Sequence, residues 1–166
     1  DVDEELIQRF RLYVDRLLAT ASNLDQCRYL SKNNNNILRI RSIRKAFADS
    51  VIIIPFRNAV QQSASLLEQH MRFSDKHRKD RFAYDYMRWL GHHEFGLTHQ
   101  RLCFDSNRCD SVAAYRPDSI NYWLSVWNST YRYLMDTTPV NSMYVCYEDL
   151  CSHPARILGN LFELAD

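Results

Sequence analysis

The chain contains very little glycine, with three residues in 166, at positions 91, 96 and 159. Loops that cradle nucleotide phosphates are normally rich in glycine, because their backbone N–H groups must approach the phosphate closely. Neither G-x-x-x-x-G-K-[ST] nor G-x-G-x-x-G occurs in the sequence. A phosphate-binding loop of either kind is therefore excluded within these residues.

The sequence also lacks a charge excess and a long apolar run. Its 21 Lys and Arg against 20 Asp and Glu give a net charge of +1. No overall field attracts a polyanion, so nucleic-acid binding is disfavoured. No apolar stretch approaches the roughly 18 residues needed to span a bilayer, and no signal peptide is visible.

The five cysteines form no C-x-x-C pair. Cys103 and Cys109 are close enough in sequence to close a small disulfide loop, but we expect reduced thiols instead. This expectation, together with the missing signal peptide, favours a soluble protein of the cytoplasm.

Apolar segments at strand and helix spacing alternate along the chain. Strands are predicted at 27–31, 51–56 and 142–147, and the second is typical of a strand buried on both faces of a parallel sheet. Helices are predicted at 3–21, 36–47, 58–71, 82–90, 118–136 and from Pro154 onward, with Asn36, Asn58 and Asp118 as N-caps. The alternation predicts a three-layer α/β fold with a central parallel sheet, helices on both faces and helical insertions.

Polar side chains follow the first two predicted strands. Lys32 and Asn34 come after the first strand, and Arg57 comes directly after the second. Open α/β sheets bind their ligands at the carboxyl ends of their strands. A cation and amide groups gathered there predict a site for an anion, most plausibly a phosphate or sulfate ester.

These segments resemble the sulfotransferases that transfer a sulfuryl group from 3′-phosphoadenosine-5′-phosphosulfate (PAPS) to a hydroxyl or amine. The resemblance covers about 29–73, 89–96 and 144–164. Residues 32–40 look like the family's lysine-containing turn, and Tyr147-Glu148-Asp149-Leu150 with Pro154 looks like its late strand-to-helix junction. Arg57-Asn58-Ala59 with Ser65 looks like its 3′-phosphate motif, although Ala59 replaces the usual proline.

The resemblance implies a P-loop-type fold with PAPS as sulfuryl donor and an unknown acceptor. The family's amino-terminal phosphosulfate loop and its glycine-containing carboxyl-terminal loop have no counterpart here. We therefore expect 1–166 to be one sulfotransferase-like domain truncated at both ends, and to be inactive by itself.

The resemblance also implies roles for individual residues. Arg57 and Ser65 would bind the 3′-phosphate, with Ser63 as a competing hydroxyl, and Asn34 would donate its amide to the donor. Lys32 would stabilise negative charge on the leaving 5′-phosphate. The candidate general bases are His92, His93 and Glu94, with His70 as a further candidate. Their spacing lacks the i, i+4 histidine pair of a helical zinc site, so no metal is expected.

Three alternatives remain open. The chain can be a catalytically silent α/β interaction module that retains the fold, or an RNA-binding protein that uses the basic helix 39–45. Arg57 can also be an ordinary surface charge at a strand end. Trp123, Trp127, Tyr131 and Tyr133 lie at helical spacing, which favours a core stripe over a platform for an aromatic or sugar acceptor. The sequence predicts neither the acceptor nor the oligomeric state.

Overall fold

The computed structural model describes residues 3–21, 27–104, 114–138 and 142–165. These residues form a mixed α/β structure that is mostly helical, with one parallel sheet of two strands. The elements in chain order are α1 (Glu4–Leu18), a 3-10 helix (Asn34–Arg39), α2 (Ile40–Ala46), β1 (Ile52–Phe56), α3 (Ala59–Lys79), α4 (Arg81–Trp89), a second 3-10 helix (Gly96–Thr98), α5 (Ile120–Thr137), β2 (Ser142–Cys146), α6 (Tyr147–Ser152) and α7 (Pro154–Ala165).

The sheet pairs β1 with β2 in parallel, from Ile52 opposite Ser142 to Phe56 opposite Cys146. One face of β1 is covered, because Ile54 packs in a buried cluster with Ile40 of α2 and Leu134 of α5. On the other face Ile53 is 43% exposed, so the prediction that β1 is buried on both faces is wrong for the described residues. Residues 27–31, predicted as a strand, pair with no strand in this part of the chain.

Helix α1 is anchored to α2 by Arg11. The Arg11 guanidinium donates to the carbonyls of Ala46 and Lys45, at 2.7 and 2.9 Å. These carbonyls lie at the carboxyl end of α2, where backbone oxygens lack helical partners and a cation is favourable. Phe10 packs edge-on against Phe47 beside this contact. The helix predicted at 3–21 is thus observed as α1, three residues shorter at its end, with Ile7 and Val14 as its buried residues.

Helix α3 continues to Lys79, well beyond the predicted end at residue 71. Residues 72–79, left between the predicted helices 58–71 and 82–90, are helical, and their charges pair along the helix as Arg78–Asp75 and Lys76–Asp80. The helix ends at Asp80, whose carboxylate also accepts from the Ala83 N–H and so begins α4. One acidic residue therefore separates the two helices.

Helix α5 carries the predicted aromatic stripe, with Tyr122 and Trp123 buried as core residues. Its N-cap is Ser119 and not Asp118, because the Ser119 hydroxyl accepts from the Asn121 N–H. Asp118 instead holds Arg116 through two hydrogen bonds of 2.8 and 3.2 Å. No helix in the described ranges is long and apolar enough to cross a bilayer.

The cysteines differ from the prediction at one position. Cys27, Cys146 and Cys151 are free thiols, whereas Cys103 is in a disulfide. The expectation of a reduced thiol at Cys103 is therefore wrong, and Cys109 lies outside the described residues.

Candidate functional site

The candidate site is a cleft at the carboxyl ends of the two strands. Phe56 and Cys146 are paired in register as the last residues of β1 and β2. Helix α6 follows β2 without a break, and only Arg57 and Asn58 separate β1 from α3. The cleft has a volume of about 380 Å³ and is lined by Phe56, Arg57, Asn58, Ala59, Gln61, Trp127, Cys146 and Glu148.

Arg57 is the cation of this cleft. Its guanidinium carbon lies 5.3 Å from the centroid of the Tyr147 ring, which is a cation–π contact. Its Nε is buried and has no hydrogen-bond partner, and Arg57 forms no ion pair among the described residues. A half-buried guanidinium without a carboxylate partner can bind an anion with two parallel hydrogen bonds.

Glu148 connects the two strand ends. Its Oε1 accepts from the Asn58 N–H at 3.0 Å, and its Oε2 accepts from the Cys146 thiol at 3.2 Å. These hydrogen bonds, with the nearby charge of Arg57, lower the pKa of Glu148. The carboxylate therefore holds the turn after β1 against the start of α6.

The start of α3 adds a positive potential to the cleft. The Asn58 side chain accepts from the N–H groups of Val60 and Gln61, which confirms Asn58 as N-cap. Ala59, the first helical residue, also lines the cleft. Unpaired N–H groups at a helix N-terminus favour a bound anion.

Helix α5 supplies part of the cleft wall through Trp127. The Trp127 indole N–H donates to the Gln62 side chain at 3.1 Å, and the Tyr131 hydroxyl donates to the Pro55 carbonyl at 3.1 Å. The first contact joins α5 to α3 and the second joins α5 to β1. The aromatic side chains expected to be core therefore also shape the cleft.

The two candidate serines lie on different faces of α3. Ser65 is exposed and lies one turn beyond Gln61, on the face that Gln61 presents to the cleft. Ser63 is fully buried, and its hydroxyl has no hydrogen-bond partner among the residues that the structure describes. Of the two, only Ser65 is available to a ligand in solvent.

Lys32 and Asn34 are close to each other but are not part of this cleft. The Lys32 ammonium donates to the Asn34 side chain at 2.9 Å, and both residues are exposed. The cap of the following 3-10 helix is Asn33, whose side chain accepts from the Asn35 N–H, so the assignment of the cap to Asn36 is wrong.

His92, His93 and Glu94 lie on a segment that packs on the far half of α3. The His92 Nδ1 lies 3.5 Å from the Glu94 Oε2, and the His93 Nδ1 lies 3.2 Å from the Thr98 carbonyl oxygen. The segment is attached to α3 at His77, which accepts from the Leu97 N–H. His77 is 18 residues after Ala59, about 27 Å along the helix axis. The structure thus joins these three residues to each other and not to the residues lining the cleft at Arg57.

The sequence placed Tyr147 and Glu148 at a strand-to-helix junction without a role in the site, and it assigned Trp127 to a core stripe. The signal for the first two was their position directly after a strand that runs parallel to β1. Among the described residues no group of three or more His, Cys, Asp or Glu side chains could hold a metal ion. The cleft at Arg57 is therefore suited to binding an anionic group and holding it in place.

Comparison with protein-family models, with curated proteins and with solved structures gives no match to this chain. The resemblance to sulfotransferases thus depends on the quoted segments and on the chemistry of the cleft.

Proposed function

We propose that the chain belongs to a PAPS-dependent sulfotransferase with a three-layer P-loop-type fold, and that the Arg57 cleft binds the 3′-phosphate of the nucleotide. One observation carries the proposal. A half-buried arginine at the end of a parallel strand forms no ion pair with any described residue. Its Nε is also buried without a hydrogen-bond partner among these residues, and leaving a buried donor unsatisfied is costly, which favours a role in binding a ligand.

The surroundings of Arg57 support a phosphate over a carboxylate ligand. Tyr147 lies against the guanidinium, and Ala59, the first residue of α3, lines the same cleft. A phosphate monoester offers three oxygens, enough for the guanidinium and a backbone N–H together. The exposed Ser65 hydroxyl, on the face of Gln61, is the fitting third donor, in preference to the buried Ser63.

The other residues have roles that the resemblance implies. Lys32 would stabilise the charge that develops on the leaving 5′-phosphate during in-line sulfuryl transfer, and Asn34 would hold the same oxygens. One of His92, His93 and Glu94 would accept the proton of the acceptor hydroxyl or amine. Location in the cytoplasm stays a prediction, and the disulfide at Cys103 counts against it, because disulfides are rare in reducing compartments.

A catalytically silent interaction module is the second candidate. Glu148 favours it, because its carboxylate already accepts from the Asn58 N–H. A phosphate at this helix N-terminus would lie close to that carboxylate and be repelled by it. The two candidates differ in whether Arg57 binds a nucleotide.

Calorimetric titration with two nucleotides tests the proposal. The desulfated nucleotide 3′-phosphoadenosine-5′-phosphate carries the 3′ group, and adenosine 5′-phosphate lacks it. Arg57→Ala should weaken binding of the first by about 1.5–3 kcal/mol, the range for hydrogen bonds to a charged group. It should leave binding of the second nearly unchanged.

Arg132→Ala is the matched control, since Arg132 is an exposed arginine on α5 that does not line the cleft. It should change neither affinity. Equal losses for the two nucleotides in the Arg57→Ala variant would reject the 3′-phosphate role. Absence of binding by the unaltered chain would reject a nucleotide site formed by these residues alone.

A further inference from the structure

Helix α4 carries three large aromatic side chains on its exposed side. Phe82, Tyr86 and Trp89 are 74%, 48% and 80% exposed. The Phe82 and Tyr86 rings are stacked with their centroids 5.6 Å apart, and the Tyr86 and Trp89 centroids lie 6.4 Å apart. Residues three and four apart are neighbours on a helix surface, so the three rings form one continuous apolar surface, the aromatic face of α4.

The other side of α4 is fixed to α3. The Tyr84 ring packs edge-on against the buried His77 ring at 5.6 Å, and the Met87 sulfur lies 3.2 Å from the His77 Nε2. These contacts set the rotation of α4 about its axis. The aromatic face therefore cannot turn inward without breaking them, and it is held in water by the fold.

Unpaired cations lie close to the aromatic face. Residues 72–89 contain six Lys and Arg and three Asp, an excess of three positive charges, whereas the whole chain carries +1. Each of the three acids pairs with a cation, in the pairs Asp75–Arg78, Asp80–Lys76 and Asp85–Arg81. Exposed cations without an ion pair to any described residue are left just before α4, at Lys79, and in its last turn, at Arg88.

The exposed area of the aromatic face argues against a second copy of the chain as its partner. An aromatic side chain buries about 150–250 Å² when fully covered, so the three rings at their observed exposure offer about 300–500 Å². A stable dimer needs about 800 Å² from each partner. Two copies that met through this face would also bring their unpaired cations together, which is repulsive.

A lipid surface with anionic headgroups matches both properties of the face. Trp and Tyr rings are favoured at the boundary between headgroups and acyl chains, and Lys and Arg are attracted to anionic headgroups. Helices that lie in this boundary combine an aromatic or apolar face with neighbouring cations, as α4 does.

We infer that α4 attaches the chain to an anionic lipid surface. The aromatic face enters the headgroup region, and Lys79 and Arg88 bind the anionic headgroups. The attachment does not depend on the proposed nucleotide site. Helix α3 has 21 residues from Ala59 to Lys79, about 30 Å, and α4 begins beyond the end that is far from Arg57.

Co-sedimentation with vesicles of two compositions tests the attachment. One kind contains phosphatidylcholine only, and the other contains equal parts of phosphatidylcholine and phosphatidylserine. The unaltered chain should bind the mixed vesicles at least about tenfold more tightly, because each Lys or Arg near an anionic surface contributes about fivefold. The tryptophan emission should move to shorter wavelength on the mixed vesicles. Trp89→Phe should remove that shift and retain binding, since phenylalanine keeps the face apolar.

Phe82→Ser should weaken binding to the mixed vesicles about tenfold or more, the effect of removing one buried aromatic side chain. Phe162→Ser is the matched control, because Phe162 is 69% exposed on α7 and lies outside the aromatic face. It should leave binding unchanged. Circular dichroism verifies that both variants are folded, as expected for substitutions at exposed positions.

Equal binding to the two compositions, or no binding to the mixed vesicles, would overturn the inference. Equal losses in Phe82→Ser and Phe162→Ser would reject the role of the aromatic face. A dimer in sedimentation equilibrium that Phe82→Ser dissociates, without binding to vesicles, would assign the face to a second copy and would also overturn the inference.

Discussion

Replacing Gly96 by alanine tests how the segment carrying His92, His93 and Glu94 is fixed to α3. Gly96 has a φ of +80°, a backbone conformation that costs an L-residue about 1–2 kcal/mol. A Cβ built at this position would lie 2.6 Å from both Cε1 and Nδ1 of the His77 ring. Real Cβ atoms do not approach so closely, so either the ring or the segment must move.

The His77 ring cannot move freely. It is 5% exposed, its Nδ1 accepts from the Leu97 N–H, and its Nε2 lies 3.2 Å from the Met87 sulfur. Overpacking at such a site costs about 1–3 kcal/mol. With the backbone cost, Gly96→Ala should lower the free energy of unfolding by about 2–5 kcal/mol.

Gly91→Ala is the matched control. Gly91 also has a positive φ, of +73°, but a Cβ there would meet nothing within 4 Å. Gly91→Ala should therefore lower the free energy of unfolding only by the backbone cost, about 1–2 kcal/mol. Urea unfolding followed by circular dichroism gives both values, with the slope m unchanged if the transition stays two-state. Equal losses in the two variants would refute the contact between Gly96 and His77.

Two further predictions concern the residues after the strands. Glu148→Gln should lower the thermal unfolding midpoint at neutral pH, because the lowered pKa of Glu148 shows that its charged form is stabilised in the folded state. That stabilisation is complete above the ordinary pKa of 4.5 and is lost as pH falls through the lowered pKa. The difference in unfolding midpoint between the unaltered chain and Glu148→Gln should therefore disappear in acid. A difference that does not depend on pH would contradict the role of the charge. Lys32→Ala should change the free energy of unfolding by less than about 0.5 kcal/mol in the same urea experiment, because the contact of Lys32 with Asn34 is exposed. A larger loss of stability would give Lys32 a structural role.

The sequence pattern predicted two of the three proposed strands well, whereas residues 27–31 pair with no strand in the described residues. The apolar, β-branched run before Arg57 and the alternating residues before Tyr147 both became strands, within one residue of the predicted bounds. Helix α3 was predicted too short, because its charged second half resembles a connection when read locally. Its charges are paired three and four residues apart, which supports a helix without an apolar face.

The site was predicted only where it follows a strand directly. Arg57 was identified by its position after β1, whereas the role of Glu148 depends on the register that places β2 beside β1. The position of His92, His93 and Glu94 depends on the contact of the Leu97 N–H with His77, and no local pattern encodes that contact. Contacts between segments distant in sequence are decided by packing, which spacing alone does not predict.

The most direct test of the proposed function is ³¹P NMR of 3′-phosphoadenosine-5′-phosphate titrated with the chain. The nucleotide gives separate resonances for its 3′ and 5′ phosphates, so the two groups can be followed in one experiment. If Arg57 binds the 3′-phosphate, that resonance should shift and broaden more than the 5′ resonance, and Arg57→Ala should abolish the difference. A larger change at the 5′-phosphate, or an unaltered pattern in Arg57→Ala, would contradict the assignment of the cleft.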